Sequence, residues 1–142
     1  MTTLSPPPIY DPIAGDDGKV SKSWALYFND QYNGDQGTEW TPVATSLGST
    51  GTPVITGIIY QVSKKLSVFR ILITPATNTS SVAGTTYFTG LPITVNAAGF
   101  CTAQSSNLGD PTGMVTTAGR IYTPTWTNIT VPVTVTGLIE AS

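Results

Sequence analysis

The chain has 142 residues, a formal net charge of −2 and only 10% charged residues. This length fits one domain, and so few lysines and arginines exclude a nucleic-acid partner, because nucleic-acid binding requires clustered positive charge. No apolar run approaches the roughly 20 residues of a membrane span, so no insertion into a membrane is expected.

Residues 1–20 are predicted to form an extended arm without a core of its own. Pro6-Pro7-Pro8 favours polyproline II, and Asp11-Pro12 and Asp16-Asp17-Gly18 are typical of turns. No basic region followed by an apolar stretch stands at the start, so no secretory signal is expected. The residues expected to anchor the arm on another protein are Pro6, Pro7, Pro8, Ile9, Tyr10 and Ile13.

One short helix is predicted over residues 21–34. Ser21 is a good N-cap, and Gly34 is a good residue just past the C-terminus. The aromatic residues that share one helical face are Trp24, Tyr27, Phe28 and Tyr32. This stripe is expected to dock the helix on the rest of the chain, or alternatively on a partner.

Residues 38–142 predict a mainly β fold, an antiparallel β-sandwich of jelly-roll type. Short runs rich in β-branched residues alternate with Gly and Pro, as in sandwiches and barrels. The expected strands are 54–62, 66–74, 85–91, 99–104, 113–117 and 128–139. Pro132 lies inside the last of these and predicts a sheet edge or a bulge there.

The strand over residues 66–74 is apolar on both faces. Phe69, Ile71 and Ile73 share one face, which is expected to lie in the core. The other face needs a second cover in so small a domain, and copies of the same chain would supply it. The residues expected at this trimer interface are Leu66, Val68, Arg70 and Leu72.

The side chains available for chemistry argue against an enzyme. The sequence has no histidine, so it excludes a Ser-His-Asp triad and any histidine metal site. Cys101 is the single cysteine, so no disulfide forms within the chain and a reducing cytoplasm is expected. Neighbouring Asp16 and Asp17 point apart on an extended chain. We therefore expect no catalytic residue, no cofactor and no metal.

Four segments follow one another in an informative order. Residues 13–33 contain an Asp-Gly turn, a Val-Ser start and a Trp-x-x-x-Phe helix, and residues 57–69 contain a β-hairpin. Residues 86–92 are a strand followed by Leu-Pro, and residues 119–141 close the chain with GRIYTPTW and an alternating valine strand. This order resembles tailed-bacteriophage virion proteins that carry a trimeric jelly-roll domain of the complement and tumour-necrosis-factor type.

The resemblance implies a homotrimer located in the virion and assembled in the host cytoplasm. Phage fibres usually carry long shafts, and this chain has none, which favours a capsid decoration protein or short head fibre anchored on a capsid or tail protein by the arm. The alternative is a tail-fibre or receptor-binding head that recognises host surface glycans. Its contacts would be Trp40, Tyr122 and Trp126, unless these aromatic residues pack in the core.

Overall fold

The computed structural model describes residues 6–15, 17–33, 37–106, 108 and 111–142, without the side chains of residues 29–33. One compact unit lies within residues 2–36 and the other within residues 37–142. The elements in chain order are α1 (Lys22–Asn33), β1 (Thr38–Trp40), β2 (Val43–Thr45), β3 (Gly48–Thr50), β4 (Val54–Gln61), β5 (Leu66–Thr74), β6 (Asn78–Ser81), β7 (Tyr87–Thr89), β8 (Val95–Ala97), β9 (Gly99–Gln104), β10 (Thr112–Val115), β11 (Ile121–Tyr122), β12 (Trp126–Ile129) and β13 (Val133–Ala141). No helix in these described ranges is long and apolar enough to cross a membrane.

The N-terminal unit folds residues 11 and 12 back on the start of α1. The Ser21 hydroxyl donates to the carbonyl oxygen of Pro12 at 2.7 Å. The indole N–H of Trp24 donates to the backbone carbonyl oxygen of Asp11 at 2.9 Å. A tight turn precedes the helix, with the N–H of Gly15 donating to the carbonyl oxygen of Lys19 at 2.7 Å. The N–H groups of Ile9 and Asp11 donate to the carbonyl oxygens of Pro7 and Pro8 at 2.9 and 3.1 Å, so the proline segment runs into a turn where the sequence predicts an extended arm.

The C-terminal unit is mainly β and antiparallel, which confirms the predicted fold class. Its large sheet has ten strands in the order β1-β4-β5-β13-β9-β10-β11-β7-β2, with β8 also paired to β13. Laid flat at about 4.8 Å per strand, β1 and β2 would lie roughly 38 Å apart. Only Thr41 and Pro42 separate them in the chain, and that link spans about 11 Å at most. The sheet therefore curls until its two ends meet, while β12, β6 and β3 form a second sheet.

The core lies inside this curl. In β5, Phe69, Ile71 and Ile73 are fully buried, as the alternation of that strand predicts. They meet Val133 and Val135 from β13, which pairs with β5 over eight residues. The inner face is thus built from branched and aromatic side chains on the longest strands of the sheet.

Trp40 fills the seam where the sheet closes. It lies opposite Gly57 on β4, where a methyl group would fall 2.7 Å from three indole carbons. On its other side, a methyl group on Gly90 would lie 3.8 Å from indole Cδ1. The indole N–H is buried without a hydrogen-bond partner among the described residues, so Trp40 stabilises the fold by packing.

The predicted strand 128–139 is two strands in different sheets. β12 pairs with β6 in the small sheet, whereas β13 pairs with β5 and β9 in the large one. Asn128 has φ +51°, and Pro132 has no N–H to donate, so regular pairing stops between the two strands. The chain therefore leaves the small sheet at β12 before it joins the large sheet at β13. The break at Pro132 that the sequence predicts is therefore a change of sheet.

Candidate interaction surfaces

The arm presents its predicted anchoring residues to solvent. Ile9, Tyr10 and Ile13 are 71%, 94% and 56% exposed. Pro6 and Pro7 are exposed and Pro8 is half-buried. Exposed apolar side chains of this kind suit a groove on another protein.

The aromatic stripe of α1 is a compact cluster. The ring centroids of Trp24, Tyr27 and Phe28 lie 5.5 to 5.7 Å apart, with Trp24 and Tyr27 edge to face. Phe28 remains 47% exposed. The prediction for Tyr32 falls outside the described side chains, and docking of the helix through this stripe stays a prediction.

The outer face of β5 carries the residues predicted at a trimer interface. Leu66 and Leu72 are 38% and 37% exposed, Val68 is half-buried and Arg70 is exposed. The neighbouring strand β13 adds Leu138, which lies opposite Val68 and is 47% exposed. These side chains form an apolar patch around one guanidinium, on the face opposite the core.

A groove of about 360 Å³ opens beside this patch. Glu39 and Arg70 are the cross-strand neighbours of Ile58 on its two sides, so both charges lie on the outer face. Thr56 and Leu72 complete the wall, and Trp40 reaches the groove from the seam. The groove therefore offers one acid, one base and an apolar floor.

A second cluster lies at the other end of the sheet, on β11 and β7. The rings of Tyr87 and Tyr122 are 5.1 Å apart, and the guanidinium carbon of Arg120 lies 5.0 Å from the Tyr87 centroid. Arg120 Nη1 donates to the Tyr122 hydroxyl at 3.5 Å. This hydrogen bond, together with attraction to Tyr87 and Tyr122 in their ionised forms, raises the pKa of Arg120 above its ordinary value. The two rings thus hold an exposed cation.

A second pocket, of about 270 Å³, is lined by residues 89–91, 93–95 and 117–119 and by none of the three side chains of this cluster. Thr89 lines it from β7, two residues beyond Tyr87 and therefore on the same face of the strand. The turn over residues 117–119, which leads into Arg120, forms another wall. Leu91 and Ile93 supply apolar lining, so the pocket combines hydroxyl groups with a hydrocarbon surface.

The three residues predicted to contact a glycan do not form one site. Trp126 is 3% exposed and its indole N–H donates to Thr79 Oγ1 at 3.3 Å inside the core, which corrects the prediction for that residue. Trp40 fills the seam, and only Tyr122 stands in an accessible cluster. Sequence reasoning missed Tyr87 and Arg120. Arg120 and Tyr122 are two residues apart, the spacing that places side chains on one face of a strand.

Cys101 is a core residue. It is fully buried on β9, and its thiol donates to the carbonyl oxygen of Tyr122 at 3.5 Å. Burial raises the pKa of this thiol to about 11, against a smaller opposing effect of a hydrogen bond from the Gly113 backbone. Within the part of the chain that the structure describes, no group of three or more Cys, Asp or Glu side chains is placed to hold a metal.

Comparison with known proteins adds no relative to this picture. No family model, no curated protein and no solved structure matches the chain. The surfaces described above are therefore the basis on which function is assigned.

Proposed function

We propose that this chain is a structural protein of a bacteriophage virion, which decorates the capsid or forms a short head fibre and is attached through its N-terminal arm. The observation that carries this proposal is the exposure of Ile9, Tyr10 and Ile13 on a proline-rich segment. Each such side chain contributes about 1.5–3 kcal/mol when it is fully buried. The proline rings of Pro6, Pro7 and Pro8 fix their φ angles, so this segment also loses little conformational entropy on docking.

The chemistry of the chain supports a structural role. The sequence has no histidine, and its single thiol is buried with a raised pKa, so that thiol is a poor nucleophile. The virion location rests on the resemblance of the segments at 13–33, 57–69, 86–92 and 119–141 to phage proteins. Assembly would take place in the host cytoplasm.

The proposed unit is a homotrimer joined through the outer face of β5. Leu66, Val68 and Leu72, with Leu138 from β13, expose a contiguous apolar patch on one side of the sheet. Contiguous apolar patches on soluble proteins mark interaction sites. Two further copies of the chain would cover this patch and leave the opposite face to the domain core.

Point variants in the arm test the attachment. The double variant Ile9→Asp with Tyr10→Asp removes two apolar contacts and adds two charges, so its affinity for particles that lack this protein falls at least a hundredfold. Copies bound per particle are measured by quantitative gel densitometry after sedimentation of the particles. The control is Val62→Asp, because Val62 is similarly exposed at 57% but lies between β4 and β5. Equal binding by the arm variant and the control contradicts attachment through the arm.

Recognition of host glycans is a second candidate function. It is favoured by the cluster of Tyr87, Tyr122 and Arg120, which combines partly exposed aromatic rings with an exposed cation held against them. Aromatic rings with a polar edge are suited to stacking on sugars. The two functions are compatible, because the arm and this cluster belong to different units of the chain.

A further inference from the structure

An exposed apolar row crosses the outer face of four neighbouring strands. Its members are Leu138 on β13, Phe100 on β9, Met114 on β10 and Tyr122 on β11. The first three are 47%, 63% and 50% exposed, and Tyr122 is partly exposed. Phe100 lies opposite Met114, Met114 lies opposite Tyr122, and the register of β9 with β13 continues the row to Leu138. Contiguous exposed apolar surface of this kind marks an interaction site.

Two charged side chains flank this row on the same side. Glu140 lies two residues beyond Leu138 on β13, and Arg120 lies two residues before Tyr122, next to β11. Three antiparallel pairings separate β13 from β11, so these two steps lead in the same direction along the sheet. Both side chains are exposed. They are the charged residues among those that the structure describes in these four strands and in the turn before β11.

Both charges are held in place by neighbours in the same chain. Arg120 Nη1 donates to the Tyr122 hydroxyl, and the guanidinium lies over the Tyr87 ring. Asn96 Nδ2 donates to Oε1 of Glu140 at 3.0 Å. Three strand spacings, roughly 14 Å, separate the two charged residues along the sheet. Each charge is therefore placed to meet an opposite charge on a partner.

We propose that this face binds the same face of a second copy of the chain about a twofold axis. The axis runs parallel to the strands, midway between β9 and β10. Rotation about it places Phe100 of each copy over Met114 of the other, and Leu138 of each copy over Tyr122 of the other. The apolar row therefore packs on itself.

Charge complementarity identifies the occupant as a second copy. Glu140 and Arg120 lie on the same side of the row and at equal distances from the axis, so the rotation places each over the other. Two symmetric ion pairs then border the apolar contact. The curl of the sheet turns β13 and β11 away from the second copy, and the long side chains of these two residues bridge the wider gap. Another protein would need an acid and a base at the same spacing.

This contact goes beyond the proposed function and differs from the proposed trimer patch. β9 and β10 lie two and three strands from β5, so the axis is roughly 12 Å from β5 along the sheet. Leu138 lies at the edge of both surfaces. The contact also covers Tyr122 and Arg120, so it competes with the recognition of glycans at that cluster.

Charge reversal in the full chain tests the twofold contact by sedimentation velocity over a range of micromolar concentrations. Arg120→Glu places acid against acid at two symmetric positions, so it is expected to raise the dissociation constant at least about thirtyfold and to halve the mass of the assembly. Glu140→Arg places base against base and has the same effect. An equimolar mixture of the two variants associates again, because each mixed pair has an acid opposite a base at both positions. The control Lys64→Glu reverses one exposed charge in the β4–β5 turn and leaves the mass unchanged.

The variant Leu72→Asp separates this contact from the proposed trimer. It places a charge on the trimer patch, so the protein is expected to have twice the 14.9 kDa mass of one chain, and adding Arg120→Glu is expected to give monomers. The twofold contact is overturned if Leu72→Asp is already monomeric, if Arg120→Glu does not lower the mass, if the mixture stays dissociated, or if Lys64→Glu dissociates the assembly equally. A Leu72→Asp protein that keeps the wild-type mass and is halved by Arg120→Glu supports the twofold contact and contradicts the trimer alone.

Discussion

Gly57→Ala tests whether the closed seam at Trp40 holds the β unit together. The new methyl group would lie 2.7 Å from indole atoms Cδ2, Cε2 and Cε3, closer than real contacts allow. The indole is also confined near Gly90, where a methyl group would lie 3.8 Å from indole Cδ1. Overpacking of this kind destabilises by about 1–3 kcal/mol, which lowers Tm by roughly 4–12 °C at this chain length.

A double-mutant cycle with Trp40→Leu separates overpacking from the intrinsic effect of alanine in a strand. Urea unfolding followed by circular dichroism gives the free energy of unfolding for the wild type, both single variants and the double variant. With the indole removed, Gly57→Ala is expected to change stability by less than about 0.5 kcal/mol. An equal loss in both backgrounds would refute the reasoning, because the methyl group would then not be acting through the indole.

Two further predictions concern the core thiol and the trimer patch. The folded state keeps the Cys101 proton up to about pH 11, whereas the unfolded chain loses it near 9.0, so stability falls as pH rises through this window by up to about 2.7 kcal/mol. Urea unfolding at pH 8 and 11 should show this loss in the wild type and not in Cys101→Ala, and an equal loss in both would rule out the thiol as its cause. We proposed above that the chain forms a trimer through this patch, so Leu138→Asp should convert the proposed trimer to monomers in sedimentation velocity, while Val43→Asp, at a site 59% exposed on β2, should not. A Leu138→Asp protein that stays trimeric would place the interface elsewhere.

The strands predicted most closely are those whose pattern is longest. β5 and β9 begin and end at the predicted residues, 66–74 and 99–104, and β4 ends one residue before the predicted 62. These strands are long enough for alternation to be visible, and Ser63-Lys64-Lys65 marks the turn between β4 and β5. The helix likewise begins at Lys22, directly after Ser21, which the sequence predicts as its N-cap residue.

The short strands could not be found in this way. β1, β2, β3 and β8 have three residues each, and β11 has two, so none shows a period. Each is defined by a partner strand elsewhere in the chain, such as β6 for β3 and β4 for β1, so its formation is a property of the whole unit. The break in strand 128–139 has a local signal in Pro132, but the change of sheet depends on β6 being present as a partner.

The candidate sites were also predictable to different degrees, because some depend on the local sequence and others on strand pairing. An exposed aromatic arm residue such as Tyr10 has no strand around it that could bury it. An aromatic residue in a strand points into the core or toward solvent according to register. Trp126 and Tyr122 therefore look alike in sequence, but Trp126 is buried and Tyr122 is partly exposed. The cation above Tyr87 depends on the pairing of β11 with β7, which joins residues more than 30 positions apart.

Arg70 constrains how copies of the chain can approach one another. A guanidinium buried in an apolar interface without an acid is destabilising by several kcal/mol. Two acids share this face: Glu39, on the far side of Ile58 with its Cα roughly 10 Å from that of Arg70 across two strand spacings, and Glu140, which lies opposite Leu66 on β13. The 360 Å³ groove lies between Glu39 and Arg70. A trimer built on Leu66, Val68 and Leu72 must therefore either leave the mouth of this groove open to water or bring a carboxylate of Glu39 or Glu140 against Arg70.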